Sequence, residues 1–164
     1  MELQIRNAKL DELDVIMGVY STAKRFMEDH GNTKQWTGDD AVTRDGISAM
    51  LEGGHLFVGE EDGKIQFAFA YFQGEDPCYT PISEGSWLND EFYGTVHRLA
   101  SAGTTRGVLK TVTDWALEQY PNLRVDTHHD NLVMQNALAK LGFTRCGIIH
   151  LPNGDPRIAY QKMK

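Results

Sequence analysis

The segment from Gly94 to Phe143 constrains the fold more than any other part of the chain. It reads as an apolar strand (Thr95–Ser101), a glycine-containing turn (Ala102–Gly107), an amphipathic helix (Val108–Gln119), a second strand (Leu123–Thr127) and a second helix (Asn131–Leu141). Strand, helix and strand in that order form a βαβ crossover, because parallel neighbours cannot be joined by a tight turn. Val108, Val112, Trp115 and Ala116 share one helical face, which is expected to pack on the sheet. The helix then opens beside the end of a strand with its first N–H groups unpaired. Those donors, the positive end of the helix dipole and the Arg106 guanidinium can converge on an anion. A simpler account makes Gly103 and Gly107 only a tight strand-to-helix turn, so the neighbouring residues have to decide.

On the N-terminal side, Glu2–Arg6 alternates as a strand, and Leu10, Leu13, Ile16, Met17, Tyr20, Ala23, Phe26 and Met27 recur at helical spacing as far as His30-Gly31. Gly31–Gly38 reads as a loop whose Gln35-Trp36 pair is either a lid over a pocket or a packing anchor. Asp39-Asp40 suits the start of a helix over Ala41–Leu51, ended by Gly53-Gly54, and the two helices are expected to cap one side of a sheet. His55–Glu60 and Lys64–Gln73 flank Glu61-Asp62-Gly63, a hairpin signal. Gly74–Phe92 is a long polar loop carrying Tyr79 and Trp87, a candidate for substrate selection, whose Glu75, Asp76, Glu84, Asp90 and Glu91 either favour a cationic amine or, as loop carboxylates usually are, are simply solvated. Phe143–Leu151 and Arg157–Lys162 form a second hairpin around Pro152-Asn153-Gly154-Asp155. The expected order is β-α-α-β-β-β-α-β-α-β-β, an α+β (three-layer α/β) arrangement in one domain spanning residues 1–164.

A net charge of −7 with a pI near 5.3 argues against a nucleic-acid partner and leaves amine-bearing small molecules open. No apolar run approaches a membrane span, so no membrane association is expected. Cys78 and Cys146 form no CxxC pair and follow no secretory leader, and are expected to be reduced thiols in a cytoplasmic protein. Oligomeric state stays open, including a homodimer: Trp87, Phe92 and Tyr93 either form an interface patch or fill the core.

The central segment continues Arg124-Val125-Asp126-Thr127-His128-His129-Asp130-Asn131, then Met134-Gln135-Asn136, Gly142-Phe143 and Cys146-Gly147-Ile148-Ile149. With His97-Arg98-Leu99-Ala100 on the preceding strand, it resembles the GNAT superfamily of CoA-dependent N-acyltransferases. The resemblance covers nearly the whole chain in element order. It implies a mixed, splayed sheet of about seven strands flanked by four helices, and acetyl-CoA as co-substrate for acetylation of a primary amine of a small molecule or peptide, by direct attack in a ternary complex. It further implies that the donor lies along Leu99, Ala100 and Ser101, with its pyrophosphate at Thr104, Thr105, Arg106, Gly107, Val108 and Leu109, and with Asn131 and Gln135 beside the pantetheine. The acceptor would meet Gln35 and Trp36. Three positions depart from the family pattern: Thr104 and Leu109 at the ends of the phosphate loop, and Leu138 where many members carry a tyrosine that protonates the leaving thiolate. These departures keep a second reading in view, a non-catalytic CoA- or acyl-CoA-binding module with a degenerate pyrophosphate loop.

Amine attack needs a base, and His97, on the strand beside the thioester, is the first candidate. His128 is the second, and Cys146 is a candidate acid for the departing thiolate. Each has a plain structural alternative: a strand histidine bonded to backbone, or a small buried thiol. Tyr93 and Tyr160 are further hydroxyl donors without a motif. No metal is expected, because consecutive His128 and His129 on an extended segment would face opposite sides and no HExxH or Cys/His spacing occurs.

Overall fold

The structure, a computed structural model, describes residues 3–164. Seven strands form one sheet: β1 (Gln4–Asn7), β2 (Leu56–Glu61), β3 (Lys64–Gln73), β4 (Gly94–Ser101), β5 (Asn122–Thr127), β6 (Thr144–His150) and β7 (Pro156–Met163), in the spatial order β1-β2-β3-β4-β5-β7-β6. Four helices complete it: α1 (Leu13–Asp29), α2 (Arg44–Glu52), α3 (Val108–Gln119) and α4 (Leu132–Lys140). The element order is the expected one. Glu2, where the first strand is expected to open, lies outside the described residues.

Alternation along the strands divides the core into two faces. Phe67, Phe69, Tyr71, Val96, Leu123, Val125, Ile158 and Tyr160 pack with Val108, Val112 and Ala116 of α3 and Leu138 of α4. Leu56, Val58, Ala68 and Ala100 face the other way, against Ile16, Val19, Tyr20 and Ala23 of α1 and Ile47 of α2. Asp62-Gly63 closes the β2–β3 hairpin with both φ values positive, 54° and 75°, the turn that matches strand twist.

Several expectations need correction. Leu10 and Phe26 share the spacing of the α1 core residues but are 62% and 50% exposed, Leu10 because it sits in a separate 3-10 turn (Leu10–Glu12). Helix α2 starts at Arg44, not Ala41, and its cap is Thr43, whose hydroxyl accepts the Gly46 N–H at 3.0 Å. Asp40 is drawn into the protein instead, where it pairs with Arg157. The 74–92 segment is not a plain loop: Asp76 caps a 3-10 turn (Pro77–Tyr79), Ser83 bridges to Ile148, and Tyr79 and Tyr93 pack with Ile149 and Ala159 on the sheet face opposite α3. Arg124 clamps it, its guanidinium 4.2 Å from the Trp87 ring centre and 4.1 Å from that of Tyr93. Trp87 and Tyr93 therefore fill the interior, while Phe92 stays half exposed against Tyr120.

The crossover positions the site. β4 and β5 run parallel but pair only at Gly94 with Leu123 and Thr95 with Arg124, and from there they part. A bulge on β4 lies beside the gap: Arg98 and Leu99 together oppose Phe69 of β3, and Arg98 has φ +55°. Tyr20 anchors that bulge, its hydroxyl donating to the Arg98 carbonyl at 2.6 Å. Burial pushes the Tyr20 phenol well above its ordinary range, so it stays a donor. Tyr20→Phe is expected to lower stability by about 0.5–1.5 kcal/mol, the net value of one such bond, read as a fall in the denaturant midpoint at unchanged slope.

Candidate active site

A cleft of about 720 Å³ opens where β4 and β5 separate. On the α3 side its walls are Val96, Leu99, Val108, Leu109, Thr113, Val125, Ala137 and Leu138; on the α1 side they are Phe26, Met27, Trp36, Asp39, Asp40, Phe72, Asp76, Cys78, Tyr79, His97, Arg98, Asp126 and Arg157. One half is apolar and the other is dense in charge.

His97 is the centre of the charged half. Its Nε2 lies 2.9 Å from Asp76 Oδ2, and its Nδ1 lies 3.9 Å from Asp126 Oδ2. Burial alone would raise the Asp76 carboxyl, but the His97 hydrogen bond and charge and the Cys78 N–H outweigh it and hold it below the usual carboxylate range. An ionised Asp76 accepts only, so the contact is an N–H donated by His97 Nε2, and Nδ1 on the other side of the ring faces Asp126. Tyr79, wholly buried, donates its hydroxyl to Asp126 at 2.7 Å, and Tyr93 accepts the Asp76 N–H at 2.8 Å. Burial, then the charge of Asp126, push the Tyr79 phenol far up, so it remains protonated. Residue type and spacing leave Asp76 open between meeting a cationic amine and being solvated, and single out neither Tyr79 nor Asp126 as a site residue. Only the folding of the 74–92 segment onto the sheet joins them to His97.

The loop before α2 supplies the opposite wall. Trp36, 5% exposed with φ +63°, packs edge-on against Tyr20 with ring centres 5.6 Å apart, so it is a packing anchor that also lines the cleft. Gln35 Oε1 accepts from Asn32 at 2.8 Å and from Asn131 at 3.2 Å, tying this loop to the start of α4. Asp40 accepts the Trp36 N–H at 3.1 Å and an Arg157 N–H at 2.8 Å, an ion pair almost entirely buried. Burial would raise the Asp40 carboxyl; Arg157 and the Trp36 N–H override that and leave it lowered.

The donor-side residues divide. Leu99 and Ser101 line the cleft, whereas Ala100 turns its methyl into the α1 core and offers only backbone. The N-terminus of α3 follows Gly107 at φ +68°, and among the described residues no side chain caps it. Thr105, Arg106 and Gly107 flank that end, while the Thr104 hydroxyl is turned to Gln66. Leu109 is half-buried against the core and lines the cleft without closing it. An open helix start, a parted strand and a bulge together fit a phosphate-bearing, amide-rich ligand.

Other expected site residues are corrected. His128 is 5% exposed and does not line the cleft; its Nδ1 accepts the Asp130 N–H at 3.0 Å, and burial, with Arg157 and His129, lowers its pKa. It is a turn residue rather than a base. Cys146 is buried on β6, near the far edge of the sheet, its thiol pushed up by burial, and it is not in the cleft. Gln135 spends its amide on the carbonyl of His129 at 2.8 Å instead of facing the cleft. Asn131 does line the cleft and caps α4, accepting the Met134 N–H at 3.1 Å. Tyr160 is buried in the α3 core and outside the cleft. Nor do His128 and His129 face opposite sides: the segment turns, their rings stack at 4.3 Å, and with Asp130 they bring three possible ligand atoms within 4.8 Å of one another.

Solved structures identify the arrangement. An acetyltransferase of the GNAT family from Streptococcus agalactiae is 35% identical, over 99% of this chain and 95% of that one, with a TM-score of 0.89. A GNAT-family acetyltransferase from Listeria monocytogenes (20% identity, 100% and 96% covered, TM-score 0.72) and an acetyltransferase from Staphylococcus aureus (22%, 98% and 98%, 0.70) share the fold. No protein-family model matches the chain, and none of the curated proteins does. The chain belongs to the GNAT family of acetyltransferases, enzymes that use acetyl-CoA to acetylate amines. Among the described residues no helix is long and apolar enough to cross a membrane.

The buried Asp40–Arg157 pair makes a testable demand. Arg157→Met is expected to cost about 3–5 kcal/mol at neutral pH, because it strands a buried carboxylate. Asp40 has its folded pKa depressed, so its stabilisation is present above the unfolded value and is lost as pH falls through the folded one. Without Arg157 burial raises the Asp40 carboxyl, so the gap between wild type and variant should begin to narrow above about pH 4 and close as pH falls below it, measured by denaturation at stepped pH.

Proposed function

We propose that this cleft transfers an acetyl group from acetyl-CoA to a primary amine of a small molecule or peptide by direct attack in a ternary complex, with His97 as the base. The observation that carries the reading is the placement of His97 between two carboxylates at the point where β4 and β5 part. Acetyl-CoA supplies a thioester carbonyl as the electrophile. The backbone of Leu99, Ala100 and Ser101, freed from a β5 partner, would hold its amide-bearing arm, and the N–H groups at 104–109 with the Arg106 side chain would hold its phosphates. Asn131 stands at the β5 side of the same opening.

An amine arrives as an ammonium ion with a reference pKa near ~10.4 and cannot attack until it loses a proton. Asp126 offers that cation a carboxylate, and the neutral form of His97, which donates Nε2–H to Asp76, faces the same space with Nδ1 and takes the proton there. Asp76 and the Tyr79–Asp126 bond fix the ring and carboxylate rather than react. A backbone N–H of the bulge, that of Leu99, is the donor we assign to a developing oxyanion. Gln35 and Trp36 shape the acceptor wall.

Calorimetric titration of wild type and His97→Gln with acetyl-CoA should give saturable binding in both. Thioester consumption in the presence of an accepted amine should fall about 10²–10⁴-fold in the variant. Equal turnover would remove His97 as base. Leu109→Asp should weaken acetyl-CoA binding by placing a carboxylate beside the phosphate loop; unchanged affinity would move the phosphates elsewhere.

A further inference from the structure

The charged half of the cleft holds four carboxylates, Asp39, Asp40, Asp76 and Asp126, and two guanidinium groups, Arg98 and Arg157. Arg157 is paired with Asp40 at 2.8 Å, and Asp76 with His97 at 2.9 Å. Asp126 accepts the Tyr79 hydroxyl at 2.7 Å, and Asp39, exposed at the rim, accepts the Asn153 N–H. Arg98 is left over. Its carbonyl takes the Tyr20 hydroxyl, but among the described residues its side chain makes no hydrogen bond and no ion pair, although it is half-buried and lines the cleft beside His97. The carboxylate whose charge reaches it is Asp40, which Arg157 and the Trp36 N–H already hold.

The backbone explains how Arg98 comes to stand there. Val96 and Leu99 both pack on the α3 face, and His97 and Ala100 both belong to the opposite face, so each same-face pair is three residues apart instead of two. Arg98 is the inserted residue. Its φ of +55° is a conformation a long side chain avoids, and bulges of this kind re-aim side chains next to active sites. A guanidinium withdrawn from water with five donors and no acceptor fits a planar oxyanion held by two N–H groups. It lies on the α1 side with Tyr20 and Asp40, not at the α3 N-terminus where phosphates are expected.

We infer that the acceptor is a small amine that also carries a carboxylate, an amino acid in the chemical sense, with Arg98 holding the carboxylate while the amine meets Asp126 and His97. The inference rests on the cleft being the site of amine acetylation. It adds a specificity: the two signs of charge in one cleft match a zwitterion, and Arg98 repels the second cation of a diamine.

The test uses the full chain with acetyl-CoA and three sets of acceptors: the standard amino acids, their carboxamides, and the corresponding decarboxylated amines. In wild type, kcat/KM for the preferred amino acid should exceed that for its carboxamide by about 10- to 100-fold, the scale of a charge-assisted hydrogen bond. Arg98→Asn, which tolerates the left-handed backbone, should abolish that advantage while KM for acetyl-CoA stays unchanged, and Arg98→Lys should keep part of it. Carboxamides or decarboxylated amines accepted as well as amino acids overturn the inference. So does an Arg98→Asn variant that raises KM for acetyl-CoA and leaves acceptor preference intact, since Arg98 then serves the donor. If acetyl-CoA binds but no amine is consumed, the proposed amine chemistry fails separately. Calorimetry of the amino acids against their carboxamides then decides Arg98: binding of the acid form alone supports it, and equal or absent binding overturns it.

Discussion

The short parallel pairing of β4 with β5 is the constraint on which this molecule depends. Two registers of pairing hold the strands together at Gly94 and Thr95, and beyond them a sheet that would ordinarily stay closed opens. Parting two central strands withdraws hydrogen-bond partners from backbone that is otherwise interior, a cost that a closed sheet avoids. The compensation is spread over the surroundings. Tyr20 satisfies the Arg98 carbonyl, Gln35 ties the loop before α2 to Asn131 at the end of the gap, and the Tyr79–Asp126 bond secures β5 to the 74–92 segment. The donors left over face the cleft, where a ligand rich in amides can meet them.

Charge is placed by the same opening. The Asp40–Arg157 pair joins the loop before α2 to β7 across the cleft wall, and its removal from water makes it a weak source of net stability. What it does supply is position: Asp40 also accepts the Trp36 N–H, so one carboxylate fixes the aromatic wall and the strand at once. Arg124 does the equivalent on the other side, stacked between Trp87 and Tyr93 and donating to the Asn89 carbonyl at 2.6 Å. Two buried arginines thus hold the two irregular segments that frame the charged half of the cleft.

Local signals make the scaffold legible. The period of α3, the Asp62-Gly63 turn and the order of strands come from spacing and turn chemistry that act over a few residues, and the bounds of α3 agree with the sequence reading residue for residue. His97 is legible because it lies on the strand that defines the fold. Its partners are not: Asp76 stands 21 residues upstream and Tyr79 reaches Asp126 across 47, contacts made only when an apparently polar loop buries two tyrosines. His128 and Cys146 mislead because residue type carries no direction. A turn consumes one imidazole nitrogen, and the β7–β6 pairing carries the thiol to the edge of the sheet. The β4 bulge leaves no mark in the sequence either, since position 98 holds an arginine where a left-handed backbone would ordinarily be signalled by glycine.

The position taken by Leu138 becomes intelligible from proton affinities. Leu138 is buried and lines the apolar wall with Val125 and Val108, so no phenol stands there, and Tyr93 and Tyr160 are engaged elsewhere. A thiol has a reference pKa near ~8.5, so a departing thiolate is tolerable near neutrality and needs little more than a hydrogen bond or solvent. An alkylammonium near ~10.4 does need help, since only a small fraction of it is free base at neutral pH. On the proposed reaction titratable groups are therefore worth more at the amine end than at the sulfur end, and the charge of this cleft is likewise gathered on one side. His97, Asp76, Asp126 and Tyr79 gather on one side, and on the other the wall is largely aliphatic, built from Val96, Leu99, Val108, Val125 and Leu138.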